Sequence, residues 1–252
     1  MITLYQFPFS HYCEKVRWAL DYKGLPFTTK NLLPGLHLRV TRKLAPGSSV
    51  PILVDNERII QDSTEIITFL EEKYSAQPLT PRDPQHANEA MEWEAYLDEE
   101  IGTTLRLWFY YYALPDRNCA LNFLLDGAPW YGRPLFAVIY PKVRDAMIEF
   151  MDINAESASR AKARLESALD RLDAALEGNR FLVGDRFSRA DLTACALLSP
   201  YCAPGKSDTE IASAFPAPVA DLREAHKNRP FFNWVLDTYR QYREPKAVGR
   251  PE

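Results

Sequence analysis

Ile2-Thr3-Leu4-Tyr5-Gln6-Phe7-Pro8-Phe9-Ser10-His11-Tyr12-Cys13-Glu14-Lys15-Val16-Arg17-Trp18-Ala19-Leu20 lies at the start of the chain, and its two halves ask for different backbones. The β-branched and aromatic run 2–7 predicts a strand, stopped by Pro8. Ser10 is a good helix N-cap, and Cys13, Val16, Ala19 and Leu20 behind it recur at helical spacing. Lys23-Gly24 closes that helix, because glycine accepts the left-handed conformation just past a helix end. Further out, residues 25–30 read as a second strand. Ile52-Leu53-Val54 and Arg58-Ile59-Ile60 flank the polar turn Asp55-Asn56-Glu57 as a short hairpin, and Ser63 caps a helix with apolar Ile66, Ile67 and Leu70. The predicted order is β-α-β, an irregular stretch, then β-β-α.

Ala76-Gln77-Pro78-Leu79-Thr80-Pro81-Arg82-Asp83-Pro84-Gln85 is too rich in proline to continue a helix. It divides the chain into a first domain at 1–76, a linker at 77–85 and a second domain at 86–252. Beyond it helical periodicity dominates, over about 86–112, 135–151 and 157–176, from Ser188 onward, and over about 230–242. The stretches 115–134 and 200–218 read as loops.

Composition narrows the functions more than it names one. The chain has 252 residues, 46% hydrophobic and 25% charged, with a formal net charge of -4, as expected of a soluble globular protein of one or two domains. That charge argues against binding a nucleic-acid backbone. No apolar run reaches the ~20 residues of a membrane span, and the N-terminus lacks a signal-peptide pattern, so a cytoplasmic location is expected. Four cysteines and four histidines are scattered, without disulfide-scaffold or zinc spacing, so no metal site is expected. P-loop, HExxH and GxGxxG motifs are absent.

Four strings carry chemistry or a fold signature. Ser10-His11-Tyr12-Cys13-Glu14-Lys15-Val16-Arg17 sets a hydroxyl at a helix N-terminus, where the partial positive charge favours a thiolate. Ser10 reads equally as a plain N-cap. Cys13, in a Ser-x-x-Cys spacing, reads as a packed thiol, with redox chemistry as the alternative; Arg17 reads as structural. Ser49-Val50-Pro51-Ile52-Leu53-Val54 places a proline just before a strand, and Gln61-Asp62-Ser63 ends the hairpin at a helix N-terminus suited to an anion. Gly184-Asp185-Arg186-Phe187-Ser188-Arg189-Ala190-Asp191-Leu192 holds a capping-box arrangement of Ser188 with Asp191.

Together these residues resemble the cytosolic glutathione transferases over essentially the whole chain, as a serine-type, bacterial-like member of unassigned class. The resemblance implies an α/β thioredoxin-like N-terminal domain followed by an all-α helical-bundle C-terminal domain that forms the electrophile site. It implies that Ser10 stabilises the thiolate of glutathione, a co-substrate, with no prosthetic group. Pro51 would follow a cis peptide bond, leaving the backbone of Val50 to pair with the cysteinyl unit. Asp62 would face the γ-glutamyl ammonium and Ser63 its carboxylate; Asp62 stands where many members have Glu, which shortens its reach. His37 would approach the glycyl carboxylate, with Ser48 and Ser49 nearby. The acceptor would be a small hydrophobic electrophile lying against Phe9, His11, Trp108, Tyr111 and Tyr112, with Trp130, Tyr131 and Tyr201 as further loop candidates. A homodimer and a detoxifying conjugation are implied. A glutathione-binding regulatory or carrier protein, and a glutathione-dependent peroxidase or reductase, are the alternatives.

Overall fold

The computed structural model describes residues 1–128, 132–206 and 215–243. Strands β1 (Ile2–Gln6), β2 (Phe27–Asn31), β3 (Ile52–Asp55) and β4 (Arg58–Gln61) form one sheet in the order β2-β1-β3-β4. β1 runs parallel to β2 and antiparallel to β3, with Leu4 opposite both Thr29 and Leu53. Alternation decides the register: Ile2, Leu4 and Gln6 are buried while Thr3 and Tyr5 are partly open. Helices α1 (His11–Tyr22) and α3 (Ser63–Lys73) pack together through Val16, Leu20, Ile66 and Leu70 in this core. The stretch expected to be irregular contains a short helix, α2 (Leu38–Leu44). Ser63 is not the cap of α3: Asp62 is, its carboxylate accepting the N–H groups of Thr64 (2.8 Å) and Glu65 (3.2 Å).

The proline-rich segment is held rather than loose. Glu71 accepts the N–H groups of Leu79 and Thr80 and pairs with Lys23, and Leu79 is buried. Pro84 opens α4 (Pro84–Leu97), where its missing N–H costs nothing. After α4 the backbone widens into a π-helical turn, Asp98–Thr103, and resumes as α5 (Thr104–Ala113). Then come α6 (Arg117–Leu124), α7 (Gly132–Phe150), α8 (Ala155–Leu176), α9 (Arg189–Cys202), α10 (Ala217–His226) and α11 (Pro230–Thr238). The two stretches read as loops are thus partly helical. Asp116 caps α6, and α9 passes through Pro200, so Tyr201 lies in a helix and not in a loop. Trp130 and Tyr131 lie outside the described residues.

Asp191, fully buried, accepts the N–H groups of Leu182 and Ser188 and the Ser188 hydroxyl, each at 2.8 Å, so the capping box forms inside the core. The α/β and helical domains meet through a buried ionic cluster. Lys15 on α1 contacts Glu94 and Asp98 at 2.7 Å, and the other Glu94 oxygen takes Arg189 from α9. Thr64 donates to the same carboxylates, and Thr68 accepts from Arg189. Two cations face two anions here, with hydroxyls filling the gaps. Removing either partner alone would strand a buried charge. Finally, a second π-helical segment, Tyr239–Arg243, lies over α1: Trp18 donates to the Tyr242 carbonyl (3.2 Å), and Arg243 pairs with Glu14 and Asp21.

Candidate active site

Ser10 caps α1 from extended backbone, its Oγ accepting the Cys13 N–H at 3.4 Å. In that bond Oγ is the acceptor, so the bond does not use the hydroxyl proton. The turn that presents it is pinned by Arg17, which donates to the Pro8 carbonyl (3.0 Å), to Gln6 and to Glu14. Arg17 therefore shapes the site without reaching into it. Cys13 is fully buried, and burial pushes its thiol up, against weaker pulls from Arg17 and Ser10. Such a thiol packs as an apolar group and is a poor nucleophile.

Ser10 lies on the wall of a cavity of about 230 Å³ between the domains. Phe7, Phe9, His11, Tyr12, His37, Ser49 and Val50 line it from the α/β side, and Leu105, Arg106, Phe109, Tyr110, Phe123 and Tyr201 from the helical side. The Val50–Pro51 bond is cis. Gln61 fixes the loop before it, donating to the Ser49 carbonyl (2.8 Å) and accepting the Gly47 N–H (3.0 Å). His37 packs edge-on against Phe7, and burial holds its imidazole below the usual range.

The structure thus brings Ser10, His37, Ser49, Val50, Phe9 and His11 to one cavity. Pro51, Asp62 and Ser63 lie outside its lining, and the α3 N-terminus is partly spoken for, because Asp62 has already taken two of its N–H groups. The aromatic run on α5 needs correcting. Trp108, Tyr111 and Tyr112 do not line the cavity; Trp108 is buried in the core with Tyr112 against its edge. The cavity-facing stripe is Leu105, Arg106, Phe109 and Tyr110, spaced one and four apart as a single helix face requires. Arg106 was missed in the sequence, although one cation inside an otherwise apolar and aromatic run is the signal that could have found it.

His11 and Arg106 set the electrostatics. His11 is 7% exposed, and burial, helped by the Arg106 charge, lowers its pKa to about 3, so the ring is neutral. Its Nε2 is buried with no hydrogen-bond partner, as is Nε of Arg106. The Tyr12 hydroxyl points away, donating to the Asp98 carbonyl at 2.9 Å, and burial pushes it up. Gly102 makes room for it, since a Cβ there would collide with that hydroxyl.

A thioredoxin-like α/β domain, a helical domain and an interdomain cavity with a capping serine and a cis-proline on one side are the architecture of a glutathione transferase. Sequence comparison agrees. The N-terminal domain of glutathione S-transferases matches residues 4–78, and the C-terminal domain matches 135–217. The chain belongs to this family, which supports a glutathione-dependent enzyme. Glutathione S-transferase 1 of Dianthus caryophyllus is 34% identical over 147 residues, 50% of this chain and 66% of that one. Glutathione S-transferase TCHQD of Arabidopsis thaliana is 24% identical over 94% of this chain and 90% of its own length. Among solved structures, a glutathione S-transferase from Methylobacterium radiotolerans, in complex with glutathione sulfonate, shares the fold. Its TM-score is 0.58 at 22% identity, over 93% of this chain and 94% of that one. No helix among the described residues is long and apolar enough to cross a membrane.

Proposed function

We propose that the chain is a serine-type glutathione transferase, with residues 1–76 binding glutathione and residues 86–252 forming the acceptor site. The observation that carries this reading is Ser10: a hydroxyl whose oxygen caps the N-terminus of α1, on the wall of a largely apolar interdomain cavity. Glutathione would lie along Val50, Ser49 and His37, with its γ-glutamyl end toward Asp62 and Ser63. Its thiol loses a proton to solvent, and the thiolate is held by the Ser10 hydroxyl and the positive end of α1. The sulfur electron pair then forms a bond to an electrophilic carbon, and the leaving group departs with its bonding pair. The protein supplies no nucleophile of its own, in keeping with the burial of Cys13. Holding sulfur and acceptor side by side supplies much of the acceleration.

Ser10→Ala tests this. The pKa of enzyme-bound glutathione, read from thiolate absorbance, should rise, and kcat should fall by roughly a hundredfold, as when one donor to a developing anion is removed. An unchanged titration removes Ser10 from the mechanism. Tight glutathione binding with no turnover across a broad electrophile panel points instead to a carrier or regulatory protein. A homodimer is expected on the same family grounds, and sedimentation would test it.

A further inference from the structure

The cavity wall holds a cation without a counter-charge. Among the described residues, each buried cation is matched: Lys15 by Glu94 and Asp98, Lys23 by Glu71, Arg189 by Glu94, and Arg223 by the carbonyls of Tyr201 and Cys202. Arg106, half-buried on the cavity wall, has no such partner. Its guanidinium lies 5.7 Å from the Tyr12 ring centre, its Nε is buried and unbonded, and among the described residues no carboxylate pairs with it. Beside it His11, more than nine-tenths buried, lines the same cavity and has a buried Nε2 with no partner. A neutral imidazole can carry its proton on that nitrogen and donate it.

An unpaired guanidinium and an unsatisfied imidazole nitrogen in an aromatic cavity are costly unless something completes them. An aromatic ring fits Phe7, Phe9, Phe109 and Phe123, and an anion fits Arg106 and His11. We propose that the acceptor taken by this cavity is an aromatic electrophile bearing a carboxylate, with Arg106 as its counter-ion and His11 Nε2–H as a second donor. The inference deepens the transferase reading and rests on it for the chemistry, though not for the anion site. The carboxylate could also be one of glutathione's own. Arg106 argues against that by its position, on α5 of the helical domain, whereas His37, Ser49 and Val50 stand on the α/β side.

The test uses 4-chloro-3,5-dinitrobenzoate and its methyl ester, which differ in charge and react alike. In both, the glutathione thiolate forms the carbon–sulfur bond, the carbon–chlorine bond breaks and chloride leaves. With each rate divided by the uncatalysed one, kcat/KM should favour the benzoate by about tenfold or more, as a charge-assisted hydrogen bond allows. Arg106→Gln should bring the ratio close to one, and Arg106→Lys should restore part of it. Calorimetric binding of the same two compounds to the protein without glutathione should show the same preference. An ester that binds as well as the benzoate overturns the proposal, whether or not turnover occurs. So does an Arg106→Gln variant that weakens glutathione binding but keeps the benzoate preference, since Arg106 would then hold glutathione. Arg106-dependent benzoate binding with no turnover upholds the anion site and rejects the transferase reading instead.

Discussion

Two charged regions flank Tyr12, whose hydroxyl bonds to the Asp98 carbonyl and whose ring lies near Arg106, and the two are treated differently. Where the domains join, Lys15, Glu94, Asp98 and Arg189 face one another within hydrogen-bonding distance, with threonine hydroxyls between them. On the cavity wall, Arg106 and His11 share a space without an anion among the described residues. The first arrangement pairs each of its charges, leaving only Asp98 Oδ1 without a partner, so it fixes how the domains sit together. The second is incomplete, which suits a group arriving from outside.

Four substitutions can break or sharpen that contrast. Glu94→Ala should be the most damaging, because it strands buried Arg189 and leaves Lys15 with Asp98 alone. A loss of about 3–5 kcal/mol is expected, measurable by urea unfolding, and a loss below 1 kcal/mol would mean that water already reaches the cluster. His11 comes next. Because the folded state keeps its imidazole neutral down to about pH 3, the unfolded chain takes up the proton first. Stability is therefore lost as pH falls from 6.5 toward 3, by up to about 1.4 kcal/mol per pH unit. His11→Leu should flatten that part of a thermal-unfolding series, while His37 and His226, also lowered by burial, keep a residual slope. Gly102→Ala pushes a methyl group into the Tyr12 hydroxyl between the two regions and should cost about 1–3 kcal/mol of melting stability. Arg106→Met should move stability least, by about 1 kcal/mol and in the stabilising direction, because it removes a charge that nothing balances. A large destabilisation there would show that Arg106 is structural after all.

Much of this could be read from the residues in order. The β-α-β and β-β-α units announced themselves through alternation, Gly24 and the Asp55–Glu57 turn, and Ser10 through its place at a strand–helix junction. The misreadings have local causes. The reading of 200–218 as a loop fails at both ends, where Pro200 is carried inside α9 and Pro218 lies in the first turn of α10, a place where proline is tolerated. Ser63 lost the cap of α3 to Asp62, whose backbone adopts a φ of 87°, which aspartate tolerates better than most residues. The cavity face of α5 was harder. The π-helical turn at 98–103 adds residues per turn, so the phase set in α4 does not carry through to Arg106. Only tertiary packing, chiefly against α8, selects the stripe.

The segment 239–243 gives the fold a direction in time. Ser10 and its helix precede the helical domain in the chain, but the covering of Trp18 and a partner of Glu14 come from Tyr242 and Arg243, more than two hundred positions later. During vectorial synthesis the α/β domain can form early, but the indole of Trp18 lacks this cover until residue 242 has been made. The surroundings of α1 therefore close late, and a nascent chain halted before residue 239 would carry Ser10 on a helix with one side still open.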